Sequence, residues 1–393
     1  MSDVYILSAV RTAIGRFQGT LSGLSAAELG GVVLKEALSR SGASAEDVDE
    51  VILGHVLQGG AGQAPARQSA RRAELPDRIP ALTINKVCGS GLKAVCLAAQ
   101  AIKAGDADLL LAGGQESMSQ APYYLPDART GIRLGHGRVL DGMIYDGLWD
   151  PYDDQHMGMT AELVVREFGI SREDQDAYAA RSHERALKAQ EMSLFDREIV
   201  PVKVPQRKAD PILFARDEGP REGVTAESLA RLSPAFDREG SVTAGNASTI
   251  NDGASALVVA SARKVEELGV QPLAKITAYA SGFVEPRWVM MAPLEGVKKV
   301  EERLGVSAAS FDLVEINEAF SASTVALIRK LGLDQDRVNI HGGAVALGHP
   351  IGCSGARILT TLLHALKHRG GETGLATLCL GGGGSVAVAV ETC

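Results

Sequence analysis

Cys88 stands in the run NKVCGSGL, where a short apolar segment meets glycines that let a helix begin abruptly. A thiol at such a junction faces the unpaired N–H groups and positive dipole end of the helix, which stabilise a thiolate and lower its pKa. Nucleophilic attack is the chemistry this favours; a small buried hydrophobe is the other reading a free cysteine allows. Cys379 closes the run LATLC and is followed by LGGGG. Glycines there remove side chains, so backbone N–H groups can approach a ligand, although the thiol alone also reads as a core residue. The glycine run lacks the Lys and Ser/Thr of a phosphate loop, and no dinucleotide fingerprint follows an early strand. His349, between Gly348 and Pro350 in HGGAVALGHPIGCSGAR, sits on a rigid loop. Its imidazole can take a proton from a thiol and return it near neutral pH, or serve as a hydrogen-bonded fixture. Asn317, in NEAF, ends a strand-like run, and its amide can hold a water or an oxyanion.

The elements that must position these groups alternate between two periods. Val4 to Val10 reads as a strand and Leu24 to Ser39 as a helix opened by the capping-box pattern Ser25 to Glu28; Val48 to Val56 is again a strand. After Cys88 an Ala-rich helix ends at Gly105, and the apolar run Ala107 to Ala112 suits a buried sheet. The run from Ser354 mirrors the one from Ser90: Ser-Gly, an apolar-periodic helix, glycine, then an apolar strand ending in glycines. VDEVILGHV beside FDLVEINEA, and the strand near Lys275 beside that near Val4, repeat in the same order. Two homologous α/β halves whose sheets share one buried helical layer are the expected architecture. Residues 119–249 differ in texture, charged and turn-rich, and read as an insertion with a helix at Ser171 to Glu191; Ser255 to Ser261 then completes the first half.

The 393 residues, 45% hydrophobic and 22% charged, are enough for two or three domains with a large core. Five scattered cysteines point neither to a disulfide framework nor to a zinc site. A net charge of -8 argues against nucleic acid as a partner. The apolar runs fall below the ~20 residues of a membrane span, and the opening MSDVYILSAV lacks the basic start of a signal peptide, so a cytoplasmic protein is expected.

Taken together, VCGSG, NEAF, GGAVALGHPIGCSGAR and CLGGGG resemble the thiolase family, and so do RTAIGRFQGTL, GGQESMS, HMGMTAE and SPAFDREGSVTAGNASTINDGA. The resemblance covers essentially the whole chain. It implies two βαβαβαββ halves in a five-layered α-β-α-β-α core, divided as 1–118 plus 250–270, an inserted loop domain at 119–249 that binds coenzyme A, and 271–393. It implies that Cys88 carries the acyl group, His349 takes its proton, and Cys379 moves the α-proton of a second acetyl-CoA. One oxyanion site would come from His349 and a water on Asn317, the other from the backbone N–H groups of Cys88 and Gly381. Coenzyme A would meet Arg221, Ser228, Leu232, Ala244 and Ser248, with His156 and Met157 beside the pantetheine and acyl end, and Phe236 and Phe320 walling the pocket. Many short-chain relatives carry Met-Gly between two prolines where this chain reads PRWVMMAP, which places Val289 at the Met position. Cys353 stands where the family often has Ala and receives no catalytic role. HMG at 156–158 favours the acetyl-CoA acetyltransferase type, with acetyl-CoA, acetoacetyl-CoA and CoA as ligands, no separate cofactor and no metal; a 3-ketoacyl-CoA thiolase of longer chain length is the alternative, and a catalytically silent CoA-binding subunit the reading from another class. The resemblance also implies a homodimer or homotetramer, with Arg129, Arg133 and Arg138 on a turn available for contacts.

Overall fold

A computed structural model describes residues 3–393. The first half runs β1 (Val4–Thr12), α1 (Ala26–Ser41), β2 (Glu50–Gly54), α2 (Pro65–Arg72), β3 (Ala81–Ile84), α3 (Ser90–Ala104) and β4 (Leu109–Ser117). The stretch that follows carries α4 (Met157–Phe168), α5 (Arg172–Glu191) and three small two-stranded sheets; the chain then returns to the large sheet as β5 (Asn251–Ser261). The second half runs β6 (Ala274–Phe283), α6 (Pro293–Leu304), β7 (Leu313–Ile316), α7 (Ser321–Leu331), α8 (Ile351–Arg369), β8 (Thr373–Leu380) and β9 (Gly384–Thr392). The capping box of α1 is present, with Glu28 N–H on the Ser25 side chain and the Glu28 carboxylate on Ser25 N–H, and Gly42 ends the helix in the left-handed region.

The strand order β7-β8-β9-β6-β1-β5-β4-β2-β3 shows the repeat directly. β2 is parallel to β4 and β7 is parallel to β8; β4–β5–β1 and β8–β9–β6 are antiparallel in the same sequence. Two differences from expectation appear. The halves are not separate sheets: Tyr5 pairs with Lys275 and Ile6 with Ala274, so one hydrogen-bonded ladder crosses the whole molecule. Among the described residues the second half also lacks the counterpart of β3, which is reduced to a single bridge between Val314 and Val338. Asn339 occupies that edge instead: its side-chain Oδ1 accepts from Ile316 N–H, its Nδ2 donates to the Ile316 carbonyl, and its backbone N–H donates to the Val314 carbonyl. One amide side chain thus does for β7 what a further strand would do.

Period-2 alternation sends strand side chains to both faces, which is why these strands read as continuous apolar runs. Leu110, Ala112, Leu257, Val259, Ala376, Leu378, Val386 and Val388 meet α3 and α8 in a central helical layer. Leu109, Leu111 and Val258 meet α1 and α2 on one outer face. Val314, Ile316, Ala387 and Ala389 meet α6 and α7 on the other. The result is five layers. The stretch Val87–Ala104 is long and apolar enough to cross a membrane by composition, but its helix α3 fills the middle of this sandwich.

In the central layer α3 and α8 touch backbone to backbone. A Cβ on Gly91 would lie 2.8 Å from Ala356 N, and one on Gly355 would lie 2.5 Å from Leu92 N. Only glycine fits at that contact. The first turns of the two helices are thereby brought together, and with them the segments that precede each helix.

Candidate active site

Cys88 lies one residue ahead of the Gly89 N-cap of α3, on a sharp turn. Val87 before it adopts φ of 48°, a strained conformation for a β-branched residue that costs about 1–3 kcal/mol. The turn is held by Val87 N–H on Asn85 Oδ1, Lys86 N–H on Ser90 Oγ, and the Ser90 hydroxyl on the Val87 carbonyl. His349 occupies the equivalent place ahead of α8. Its N–H donates to Asn251 Oδ1 at 2.9 Å, and Gly348 before it has φ of 110°, with no room for a Cβ against the Asn251 amide. Cys379 is the penultimate residue of β8, which is followed by a turn in which Gly382 and Gly383 both have φ of 82°.

These three elements converge on one cavity of about 250 Å³. Cys88, His349, Cys379 and Gly381 line it, together with His156, Met157, Phe236, Ser248, Val289 and Phe320. Asn317 stands behind His349, its Nδ2 at 3.4 and 3.5 Å from the two ring nitrogens. Phe236 stacks on His156 at 4.8 Å and meets Phe320 edge-on at 6.0 Å. His156 Nδ1 caps α4 by accepting from Gly158 N–H, which orients the ring beside Met157.

The electrostatics correct one expectation. Rather than lowering the Cys88 pKa, this site pushes it up to about 12, chiefly by burial and then by the neighbouring Cys379. The backbone N–H groups of Cys88 and Gly381 act in the opposite sense but do not prevail. Burial also pushes Cys379 up to about 12 and, aided by the Arg357 cation, brings His349 down to about 3. The resting site is therefore a neutral thiol beside a neutral imidazole. The need for glycine after Cys379 is also relocated: a Cβ on Gly381 would meet Val87 Cγ1 at 3.3 Å, a tight contact, whereas Gly382 and Gly383 require the left-handed backbone.

A model of the N-terminal domain of thiolases matches residues 4–263, and one of the C-terminal domain of thiolases matches residues 270–392. The chain belongs to the thiolase family. It is 54% identical over 388 residues to an acetyl-CoA acetyltransferase of Pseudomonas aeruginosa, covering 99% of each chain. It is 55% identical over 391 residues to an acetyl-CoA acetyltransferase of Cupriavidus necator, covering 100% of each. The crystal structure of the Bacillus anthracis acetyl-CoA acetyltransferase superposes with a TM-score of 0.98 at 45% identity, covering 100% of this chain and 99% of that one.

Not every residue singled out in this thiolase reaches the cavity. Arg221, Ser228, Leu232 and Ala244 lie exposed outside it, Ser228 in the short helix Ala226–Leu229. Arg221 N–H donates to His183 Nδ1, Ser228 closes a one-turn capping box with Thr225, and Leu232 packs toward Gly245 beside Ala244. Val289 lines the cavity, but so does Met290, whose Sδ is 3.9 Å from Cys379 Sγ, so a methionine is present at the wall after all, one position later. Cys353 is fully buried and outside the lining. Sequence reasoning missed Met118, Leu148, Ile250 and Ile351, which complete the apolar wall. It also left Glu318 unassigned inside NEAF. This buried carboxylate accepts from Tyr178 and Ser182 on α5 and from Asn339 and Val345 N–H, tying the loop after β7 to both neighbours.

Proposed function

We propose that this thiolase is an acetyl-CoA C-acetyltransferase: two acetyl-CoA give acetoacetyl-CoA plus CoA, and thiolysis reverses the reaction. What carries the reading is the meeting of Cys88, His349 and Cys379 in a single cavity with Asn317 directly behind the histidine. Cys88 Sγ attacks the thioester carbonyl as its proton passes to His349, and CoA leaves with that proton, so the acetyl group rests on sulfur. The Cys379 thiol then gives its proton to the freed His349 and, as thiolate, takes one from the methyl of a second acetyl-CoA. The resulting carbanion attacks acetyl-Cys88, forming the carbon–carbon bond and releasing the Cys88 sulfur, which recovers its proton from His349.

Both steps place negative charge on a former carbonyl oxygen. His349 with a water on Asn317 would hold one such charge; the N–H groups of Cys88 and Gly381 would hold the other. That both N–H groups act on the Cys88 sulfur supports the second assignment. The 119–249 region, with Arg221, Ser228, Leu232, Ala244 and Ser248, is read as the CoA-binding face. CoA thioesters are substrates here, and no separate cofactor or metal is invoked.

The test is trapping. [14C]acetyl-CoA should label the wild type and a Cys379→Ala variant on Cys88 alone, and leave Cys88→Ala unlabelled and inactive. Full thiolysis by Cys88→Ala would overturn the mechanism. Comparison of acetoacetyl-CoA with longer 3-ketoacyl-CoAs decides chain length: faster turnover of long chains would assign a 3-ketoacyl-CoA thiolase instead. Assembly into dimers or tetramers and a cytoplasmic location belong to the same proposal. Exposed Tyr123, Leu125, Leu134 and Val139 beside Arg129, Arg133 and Arg138 support contact between copies, and light scattering after size exclusion measures it.

A further inference from the structure

Arg357, on the second turn of α8, is fully buried and poorly neutralised. Its Nη1 stands 3.7 Å from Glu315 Oε2, too far for a hydrogen bond. Among the described residues, Arg357 Nε and Nη1 and Glu315 Oε2 have no hydrogen-bond partner. A buried guanidinium is ordinarily saturated by acceptors, and leaving it short of them is costly. Burial pushes the Glu315 carboxyl up to about 8, which makes it a weak counter-charge. The remaining contact of Arg357 is Nη2 donating to Asn317 Oδ1 at 3.5 Å. That bond occupies the oxygen of the amide and leaves Nδ2 facing His349.

We propose that Arg357 is a positioning residue for the reaction: it fixes the Asn317 amide with its donor toward the cavity and lends that donor the polarisation of an under-neutralised buried cation. Hydrogen bonds in a row polarise one another, most strongly where the dielectric is low. Guanidinium N–H to Asn317 Oδ1, then Asn317 Nδ2–H toward the His349 ring, is such a row, and it ends at the two groups read as holding the developing charge. A symmetric, well-formed ion pair with Glu315 would cancel this effect; the long separation preserves it. The inference rests on the reading of Asn317 as part of an oxyanion site.

The experiment measures thiolysis of acetoacetyl-CoA by Arg357→Met, Arg357→Lys, Glu315→Gln, the double variant Glu315→Gln/Arg357→Met, and Asn317→Ala, each checked for folding by thermal denaturation. Arg357→Met should lower kcat about ten- to a hundredfold with KM within about threefold, Arg357→Lys should recover most of the loss, and Glu315→Gln should stay within about threefold of wild type. The double variant removes both charges, so it leaves no orphan ion to unfold the protein, and should show the same loss as Arg357→Met. Adding Arg357→Met to Asn317→Ala should cost little more, since both break one row. Wild-type kcat in the double variant overturns the proposal, as does a loss in Glu315→Gln equal to that in Arg357→Met, which is the mark of a structural staple. Full additivity with Asn317→Ala overturns it while leaving the reading of Asn317 intact; wild-type kcat in Asn317→Ala removes that reading and the inference with it.

Discussion

Ser354 Oγ lies 2.6 Å from His349 Nδ1 and 2.9 Å from the carbonyl of Pro350. A hydroxyl has one proton. Given to the Pro350 carbonyl, it leaves the oxygen to accept from Nδ1–H, which places the free lone pair of the ring on Nε2. That is the tautomer a base facing a thiol needs, and it is set from within the first turn of the helix that His349 precedes. Ser354→Ala should therefore lower kcat for thiolysis by about tenfold, within the range of a misdirected general base, while folding stability drops by only about 1 kcal/mol. Steady-state kinetics beside urea denaturation checks this; unchanged kcat would remove Ser354 from any role in orienting the ring.

The raised pKa of Cys88 has a consequence for its reactivity in the free enzyme. Little thiolate is present at neutral pH, so alkylation of Cys88 by iodoacetamide should be slow at pH 7 and still climbing at pH 10. Site-resolved mass spectrometry separates it from the exposed Cys393. A plateau in Cys88 labelling below pH 8 would contradict a neutral resting thiol.

Three buried histidines carry a pH dependence of stability. Burial holds His349 down to about 3, and His183 and His341 down to about 4, below the value of ~6.5 in an unfolded chain. The unfolded state thus binds more protons than the folded one between roughly pH 6.5 and 4. Stability is fully present above that window and falls as the pH drops through it, by up to about 1.4 kcal/mol per pH unit for each histidine. Calorimetry should show a Tm that declines below pH 6, where the three rings outweigh Glu315, whose raised carboxyl acts in the opposite sense up to about pH 8; a Tm that rises on acidification from pH 6 to 4 would contradict the neutral state of these rings.

Gly355→Leu should prevent assembly of the central helical layer. Its side chain would have to enter space held by Leu92 N and Cβ, at 2.5 and 2.8 Å from the position of its own Cβ. Overpacking of this kind costs at least about 3 kcal/mol, because backbone rather than a flexible side chain must move. Little soluble native protein, or a large fall in the urea midpoint, is the expected result; a melt like that of wild type would show the contact to be soft.

Much of this was legible in the residues. Cys88, His349 and Cys379 were singled out by the glycines and proline adjacent to them in the chain, although each alone also read as a core or hydrogen-bonded residue, and their roles came from the resemblance to the thiolase family. The internal repeat was equally readable, because each half keeps its helix and strand periods. What escaped was tertiary. Asn251 holds His349 from 98 residues away, and Glu318 gathers partners from α5 and from the short helix Ala344–Leu347 just before His349. Neither has a local signature. Asn339 standing in for a strand carries no period at all, so a complete second half was expected. The direction of the Cys88 shift was misjudged for a related reason: a helix end can be seen in sequence, but the depth at which it is buried cannot.

The glycine contact between α3 and α8 sets a condition on when this protein is active at all. The proposed nucleophile, Cys88, and the proposed base, His349, precede α3 and α8, and they meet where those two backbones touch. A chain with one half folded has a cysteine without its histidine, and a loosened one has neither a dry cavity nor a shaped turn. A partly folded molecule thereby lacks the pairing of thiol and imidazole that the proposed acyl transfer needs.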